Sequence, residues 1–246
     1  MLEVQSLSFS YRKKPIVSGL SFQALPGTVT VLAGPNGSGK STTLSLIAGV
    51  LKPDSGTIRA DGRIGYVPQG IALFEDMSVR DNLRFFASEA HAKIPEQLPF
   101  GVGGFLSKRV SALSGGMKKR VSITVALLGD PEVLLLDEPV EGLDLIFRDE
   151  LADLIRSLRA AGRTILYAGH ETGEYADFYD RMIFIGGGQA RFFEKAQLSG
   201  PPSSFETESA RLRASYRWLL RESAKTIENR TEAVSASEAP EKQIRR

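Results

Sequence analysis

The stretch Gly34-Pro35-Asn36-Gly37-Ser38-Gly39-Lys40-Ser41-Thr42 limits the possible folds more than any other nine residues of the chain. It reads G-x-x-x-x-G-K-S. Its glycines let the backbone turn tightly and aim successive N–H groups into one concavity, a geometry that wraps phosphate. Apolar residues 29–33 precede it, and from Lys40 to Leu51 the pattern turns helical, with Leu44, Ile47, Ala48 and Leu51 on one face. The loop is therefore expected between a strand and a helix N-terminus, the context that separates a phosphate loop from an ordinary glycine-rich turn. There Lys40 neutralises the β and γ phosphates, and the Ser41 hydroxyl suits magnesium, which favours oxygen ligands.

A second element supports the first. Val133-Leu134-Leu135-Leu136 reads as a buried strand that delivers Asp137 and Glu138 at its end, followed by Pro139. Open α/β sheets bind ligands at the carboxyl ends of their strands. Alone, two acidic residues after a strand are usually a solvated strand end. Downstream of a phosphate loop, Asp137 is expected in the magnesium shell and Glu138 as the group that orients or deprotonates the attacking water. These two elements identify a P-loop ATPase or GTPase without naming its kind.

The rest of the pattern fits an α/β fold of the P-loop NTPase type: a mostly parallel core sheet, an N-terminal antiparallel β subdomain and a short inserted helical subdomain. Residues 4–9, 16–22 and 29–33 read as consecutive strands, and residues 57–67 return to strand. Residues 70–112, rich in Pro and Gly, read as an insertion with a helix over 78–90. Helices are expected over 115–127 and 145–161, a strand over 164–168, and a hairpin over 181–193. Strand and helix alternate as parallel strands with right-handed crossovers require. The chain divides into residues 1–200, an ATPase domain with its helical subdomain at about 70–127, and residues 201–246, a helical extension ending in a polar tail expected to be disordered.

Composition excludes several function classes. There are no cysteines, so disulfides, thiolate metal sites and cysteine nucleophiles drop out, in keeping with a reducing compartment. The two histidines, His91 and His170, are too few for a histidine-rich metal cluster, and His91 reads as a surface residue. Of the 31 Lys/Arg and 29 Asp/Glu, 9 and 7 lie beyond residue 200, which leaves the body neutral and argues against general nucleic-acid binding. No apolar run approaches the roughly 20 residues that cross a bilayer. The expectation is a soluble chain that meets membranes only through partners.

A third element narrows the kind. Leu113-Ser114-Gly115-Gly116-Met117, followed by Lys118-Lys119-Arg120, is a second glycine-rich helix start with exposed donors; by itself it also fits ordinary capping. Phosphate loop, Leu-Ser-Gly-Gly segment and Asp-Glu-Pro strand end, in this order and spacing, resemble the ATP-binding cassette ATPases over nearly all of residues 1–200. The resemblance implies further roles. Tyr11 matches the aromatic that stacks on adenine, and Gln69 the glutamine that senses magnesium and couples to the membrane partner. Asp144 matches the aspartate that communicates across the dimer, and His170 the switch histidine at the γ phosphate. Ser114, Gly115 and Gly116 match the segment that contacts ATP bound to a second subunit.

From the resemblance we expect an ATP-hydrolysing subunit, with ATP and Mg2+ as its nucleotide and ion. It would dimerise head-to-tail, as a homodimer by default, and energise a separate integral-membrane permease from the cytoplasmic face. The alternative is a soluble ATPase of the same family with a non-transport role. Met117 stands where glutamine is commonest, Val140-Glu141 where Thr-Ser is frequent, and the stretch from Gln69 to Leu113 is short. The Met117-Lys118-Lys119-Arg120 form is more similar to exporters than to solute importers. In the extension, Leu212, Tyr216, Leu219, Leu220 and Ile227 share one helical face beside Arg213, Arg217, Arg221 and Lys225. With Trp218 this suggests an interfacial membrane helix. The family's C-terminal end, however, points away from the bilayer, which favours packing on the body or on the second subunit.

Overall fold

A computed structural model describes residues 1–141, 143–169, 172–186, 189–198, 210 and 212–222. The switch histidine expected at His170, about half of the expected tail helix and the expected disorder of the tail lie outside these residues.

Two sheets form the scaffold. Strands β1 (Leu2–Tyr11), β2 (Lys14–Ala24) and β4 (Ser55–Ala60) make an antiparallel sheet in the order β2-β1-β4. Strands β3 (Val29–Ala33), β5 (Ile64–Val67), β6 (Val133–Asp137), β7 (Thr164–Ala168), β8 (Arg181–Gly186) and β9 (Gln189–Glu194) make the second, in the order β5-β6-β7-β3-β8-β9. Every pair in it is parallel except the β8–β9 hairpin.

The central strands carry no alternation because both their faces are covered. Leu134, Leu136, Ile165 and Tyr167 pack with Phe147, Leu151 and Ile155 of α4 (Leu145–Ala160). Val133, Leu135, Leu166 and Ala168 pack instead with Leu44 and Ile47 of α1 (Lys40–Ile47) and with Leu2, Val4 and Leu7 of the small sheet. The molecule is thus layered, with the phosphate loop on the middle layer's central strand.

The insertion has its own core. Val79, Leu83 and Ala87 of α2 (Val79–Glu89) meet Val102, Val110 and Val121, the last from α3 (Gly115–Ala126). Ser78 caps α2, its hydroxyl accepting the Asp81 N–H, and Ser114 caps α3 in the same way through the Met117 N–H. Residues 99–105 form two 3-10 turns across a kink at Phe100-Gly101, and residues 110–112 form one more. Arg120 ties the insertion to α4: it donates to the Phe100 carbonyl at 3.1 Å and to Glu150 at 2.8 Å, with its guanidinium over the Phe147 ring.

Three sequence expectations change. Residues 57–67, read as one strand, are two strands in different sheets. The chain turns at Asp61-Gly62-Arg63, where Gly62 adopts φ 86° beside the Glu132 side chain. Helix α1 stops at Ile47 rather than Leu51, and Leu46 is buried as well as Leu44 and Ile47, so its buried surface is wider than one stripe. The segment from 172 to 180, for which the sequence suggested no element, contributes Tyr175, Phe178 and Tyr179 to the core.

Residues 212–222 are helical, as expected, and this helix (α6) follows a short α5 (Lys195–Leu198). Leu212 and Leu219 are buried in the α4-side core, with Tyr216 and Leu220 packed against it. This face is therefore spent on the body, which removes the interfacial membrane reading for these residues. No helix among the described residues is long and apolar enough to cross a membrane.

Candidate active site

Strand β3 ends at Ala33, and the chain turns through the loop into α1, whose N-cap is Gly39. Gly34 is required sterically: a Cβ there would lie 2.1 Å from the Ile185 carbonyl oxygen at the end of β8. Lys40 folds back over its own loop, and its Nζ donates to the Gly34 carbonyl at 2.9 Å and the Pro35 carbonyl at 3.2 Å. These are neutral acceptors, which anionic phosphate oxygens readily displace. Burial pushes the Lys40 ammonium below the ordinary lysine value, opposed by the Glu138 and Asp137 carboxylates.

Strand β6 lies two strands from β3 and brings its acidic end to the same side. The Ser41 hydroxyl donates to Asp137 Oδ1 at 3.1 Å, so two of the three expected magnesium ligands, Ser41 and Asp137 but not Gln69, already touch. An oxygen pair of this kind fits a hard divalent ion that keeps most of its water shell. Asp137 is 1% exposed. Its burial holds the carboxyl above the usual aspartate range and the Glu138 charge adds to this, while the Ser41 hydrogen bond and the Lys40 and Lys119 ammoniums oppose it.

Glu138 leaves the strand in the left-handed region, φ 46°, with its N–H bonded to the Ala168 carbonyl at 2.9 Å. A non-glycine residue held there is strained, a feature concentrated at functional sites. Gln69, just past β5, donates from Nε2 to Glu138 Oε2 at 2.8 Å and to Glu141 Oε2 at 3.3 Å. Tyr11 stands half-exposed at the end of β1, edge-on to Phe9. An open cavity of about 420 Å³ is lined by Tyr11, by Asn36, Gly37, Lys40, Ser41 and Thr42 of the loop, and by Gln69 and Glu138.

Other expected site residues lie apart from this cavity. Ser114, Gly115 and Gly116 do not line it; Ser114 and Gly115 are exposed at the α3 N-terminus. Asp144 caps α4, its Oδ1 accepting the Phe147 N–H at 2.8 Å, and is also exposed. Among the described residues no cluster of three or more His, Asp or Glu could hold a metal by itself.

Lys119 is a participant that the sequence reading missed. It is 5% exposed, and its Nζ donates to the Gln69 carbonyl at 3.0 Å and the Pro68 carbonyl at 3.3 Å. Burial pushes its ammonium down, against the pull of Asp137, Glu141 and Glu138. The basic run 118–120 hid it, although its helical spacing to Ser122, Ile123 and Ala126 places it on the buried face of α3.

Comparison with known proteins agrees with this geometry. Residues 17–141 match the family described as ABC transporter. The chain is 40% identical over 204 residues to the Nod factor export ATP-binding protein I of Paraburkholderia xenovorans, covering 75% of this chain and 67% of that one. It is 35% identical over 209 residues to the linearmycin resistance ATP-binding protein LnrL of Bacillus subtilis, covering 77% and 67%. Among solved structures, an ATP-binding subunit of an ABC transporter superposes with a TM-score of 0.76 at 25% identity, over 88% of this chain and 99% of the other. The fold is shared too by a dimeric ATP-binding cassette in a post-hydrolysis state with ADP and Pi, TM-score 0.66 at 21% identity, over 79% and 98%.

Proposed function

Because the chain belongs to the ABC transporter family and is an ATP-binding, ATP-hydrolysing subunit, we propose that it works as one half of a head-to-tail dimer that drives a separate export permease. The observation that carries this reading is the meeting of Lys40, Ser41 and Glu138 around one open cavity, with Asp137 bonded to Ser41 behind it.

In this reading the loop N–H groups and Lys40 take the ATP phosphates, the ammonium exchanging two carbonyl partners for phosphate oxygens. Tyr11 offers the ring face for the base. Ser41 and Asp137, with Gln69, would hold Mg2+, which supplies positive charge to the β and γ phosphates. Glu138 accepts the proton of the attacking water as its oxygen bonds to the γ phosphorus and the bond to the β-phosphate oxygen breaks. Gln69, donating to Glu138 Oε2, holds the carboxylate in place for that step. His170 is proposed, from its place in the motif order, to contact the γ phosphate.

Ser114 and Gly115 stand exposed and, with Gly116, lie away from the cavity of their own chain, as a segment serving a second subunit's nucleotide requires. Asp144 at the α4 cap would face the same interface. The permease would place the dimer at the cytoplasmic face of a membrane. Export is favoured by the relatives' names, Nod factor export and linearmycin resistance.

Glu138→Gln tests the chemistry. We expect nucleotide binding to persist while turnover falls by about a hundredfold or more, the usual contribution of a general base; wild-type turnover would remove Glu138 from this role. Purification from detergent-solubilised membranes tests the partner: a multi-spanning protein should accompany the chain, and recovery only with soluble partners would favour the non-transport alternative.

A further inference from the structure

Helix α6, residues 212–222, lies outside the stretch that matches the family, 17–141. Its contacts lead to the phosphate loop. Leu212 and Leu219, two turns apart, are 1% and 0% exposed and join Val31, Ala33 and Phe184 in one core. The Ser215 hydroxyl donates to the Leu198 carbonyl at 2.9 Å, which ties the helix to α5. Tyr216 falls four residues after Leu212 and three before Leu219, on the same face. Its ring meets Phe184 edge-on at 5.8 Å, and Phe184 is the β8 partner of Ala33, the residue before the loop. Burial raises the proton affinity of the Tyr216 hydroxyl, which lies beside the backbone N–H of Gly34, the loop's first residue, and that N–H draws the affinity down.

Gly34 is thereby held on several sides. The Ile185 carbonyl blocks the position of a Cβ, the Tyr216 hydroxyl stands beside its N–H, and its carbonyl accepts from Lys40 Nζ. A displacement of Tyr216 passes through one residue to the lysine that meets the phosphates. We propose that α6 is a brace on the phosphate loop and that Tyr216 is a positioning residue, fixing Gly34 and through it Lys40 in the geometry that receives nucleotide. This rests on the reading of the loop as the ATP phosphate site. The brace makes nucleotide affinity depend on a segment distant in sequence, so whatever shifts α6 retunes the site.

The test is Tyr216→Phe in the full chain, which deletes the hydroxyl and keeps the ring on Phe184. Nucleotide Kd by titration with a fluorescent ATP analogue, KM and kcat of hydrolysis, and the unfolding midpoint of the nucleotide-free protein are measured together. A net hydrogen bond contributes enough for about a two- to tenfold change in an equilibrium. Kd and KM should rise by that factor, with kcat unchanged and the unfolding midpoint lowered far less than by Leu219→Ala. Wild-type Kd and KM would overturn the proposal. So would a fall in the unfolding midpoint as large as that of Leu219→Ala, since Tyr216 would then be only a core residue. Lys40→Ala, measured alongside, separates the two levels. Binding lost in Lys40→Ala but intact in Tyr216→Phe removes the brace alone; binding intact in both removes the loop reading and the brace with it.

Discussion

Asp137 shows what a site built for a cation does to the fold that carries it. Its carboxylate is 1% exposed, and burial raises its proton affinity above that of the unfolded chain. The folded state therefore binds the proton more tightly. The stability due to this group is full below the ordinary aspartate value of 3.8 and is lost as pH rises through the raised one. At neutral pH the ionised group opposes folding of the nucleotide-free protein. Asp137→Asn, which keeps the shape and drops the charge, should stabilise that form by about 0.5–2 kcal/mol, the common yield of one stabilising substitution. It should also abolish the extra stabilisation that Mg2+ with ATP gives the wild type. Thermal unfolding at pH 7 with and without Mg-ATP checks both signs, and a destabilised nucleotide-free variant would contradict the account.

Among the elements, α3 matters for more than its N-terminus. It starts at Ser114 and, one turn on, sends Lys119 into the carbonyls of Pro68 and Gln69, the segment that leaves β5 for the insertion. The helix and the Gln69 loop are thus joined through one buried ammonium. Lys119→Met preserves stem volume and removes that link. We expect kcat to fall about tenfold or more while nucleotide Kd stays within about twofold, because small misplacements of catalytic groups act on the chemical step. Steady-state kinetics with a binding titration would show it; an equal loss in kcat and affinity would not fit.

The same element shows what was legible in the sequence. The loop, the Asp-Glu strand end and both glycine-rich helix starts announce themselves because local backbone chemistry fixes them. Thr164–Ala168 was found to the residue, since an apolar run between turn residues has one reading in a fold with both sheet faces covered. The break at Asp61-Gly62-Arg63 was not, because apolar content alone does not say which of two sheets a strand joins. Lys119 and Tyr216 were hidden for a related reason: their partners are the backbone of Gln69 and Gly34, distant in sequence, and a carbonyl or N–H leaves no residue-type signal.

For the whole molecule, the separation of Ser114 from the cavity of its own chain gives a decisive mixing test. Lys40→Ala spoils the loop of a subunit, and Ser114→Arg spoils what it lends to its neighbour. Each variant alone should be inactive. In a mixed dimer one composite site collects both lesions and the other has none, so mixing the two inactive proteins should restore hydrolysis. Failure to recover activity, with mixed dimers demonstrated, would mean that each chain hydrolyses within itself. A final consequence follows from the Gln69 amide resting on Glu138 at 2.8 Å. Given the proposed roles of both residues, one amide touches the proton acceptor and belongs to the cation's shell, so arrival of the ion and readiness of the base would be a single event rather than two.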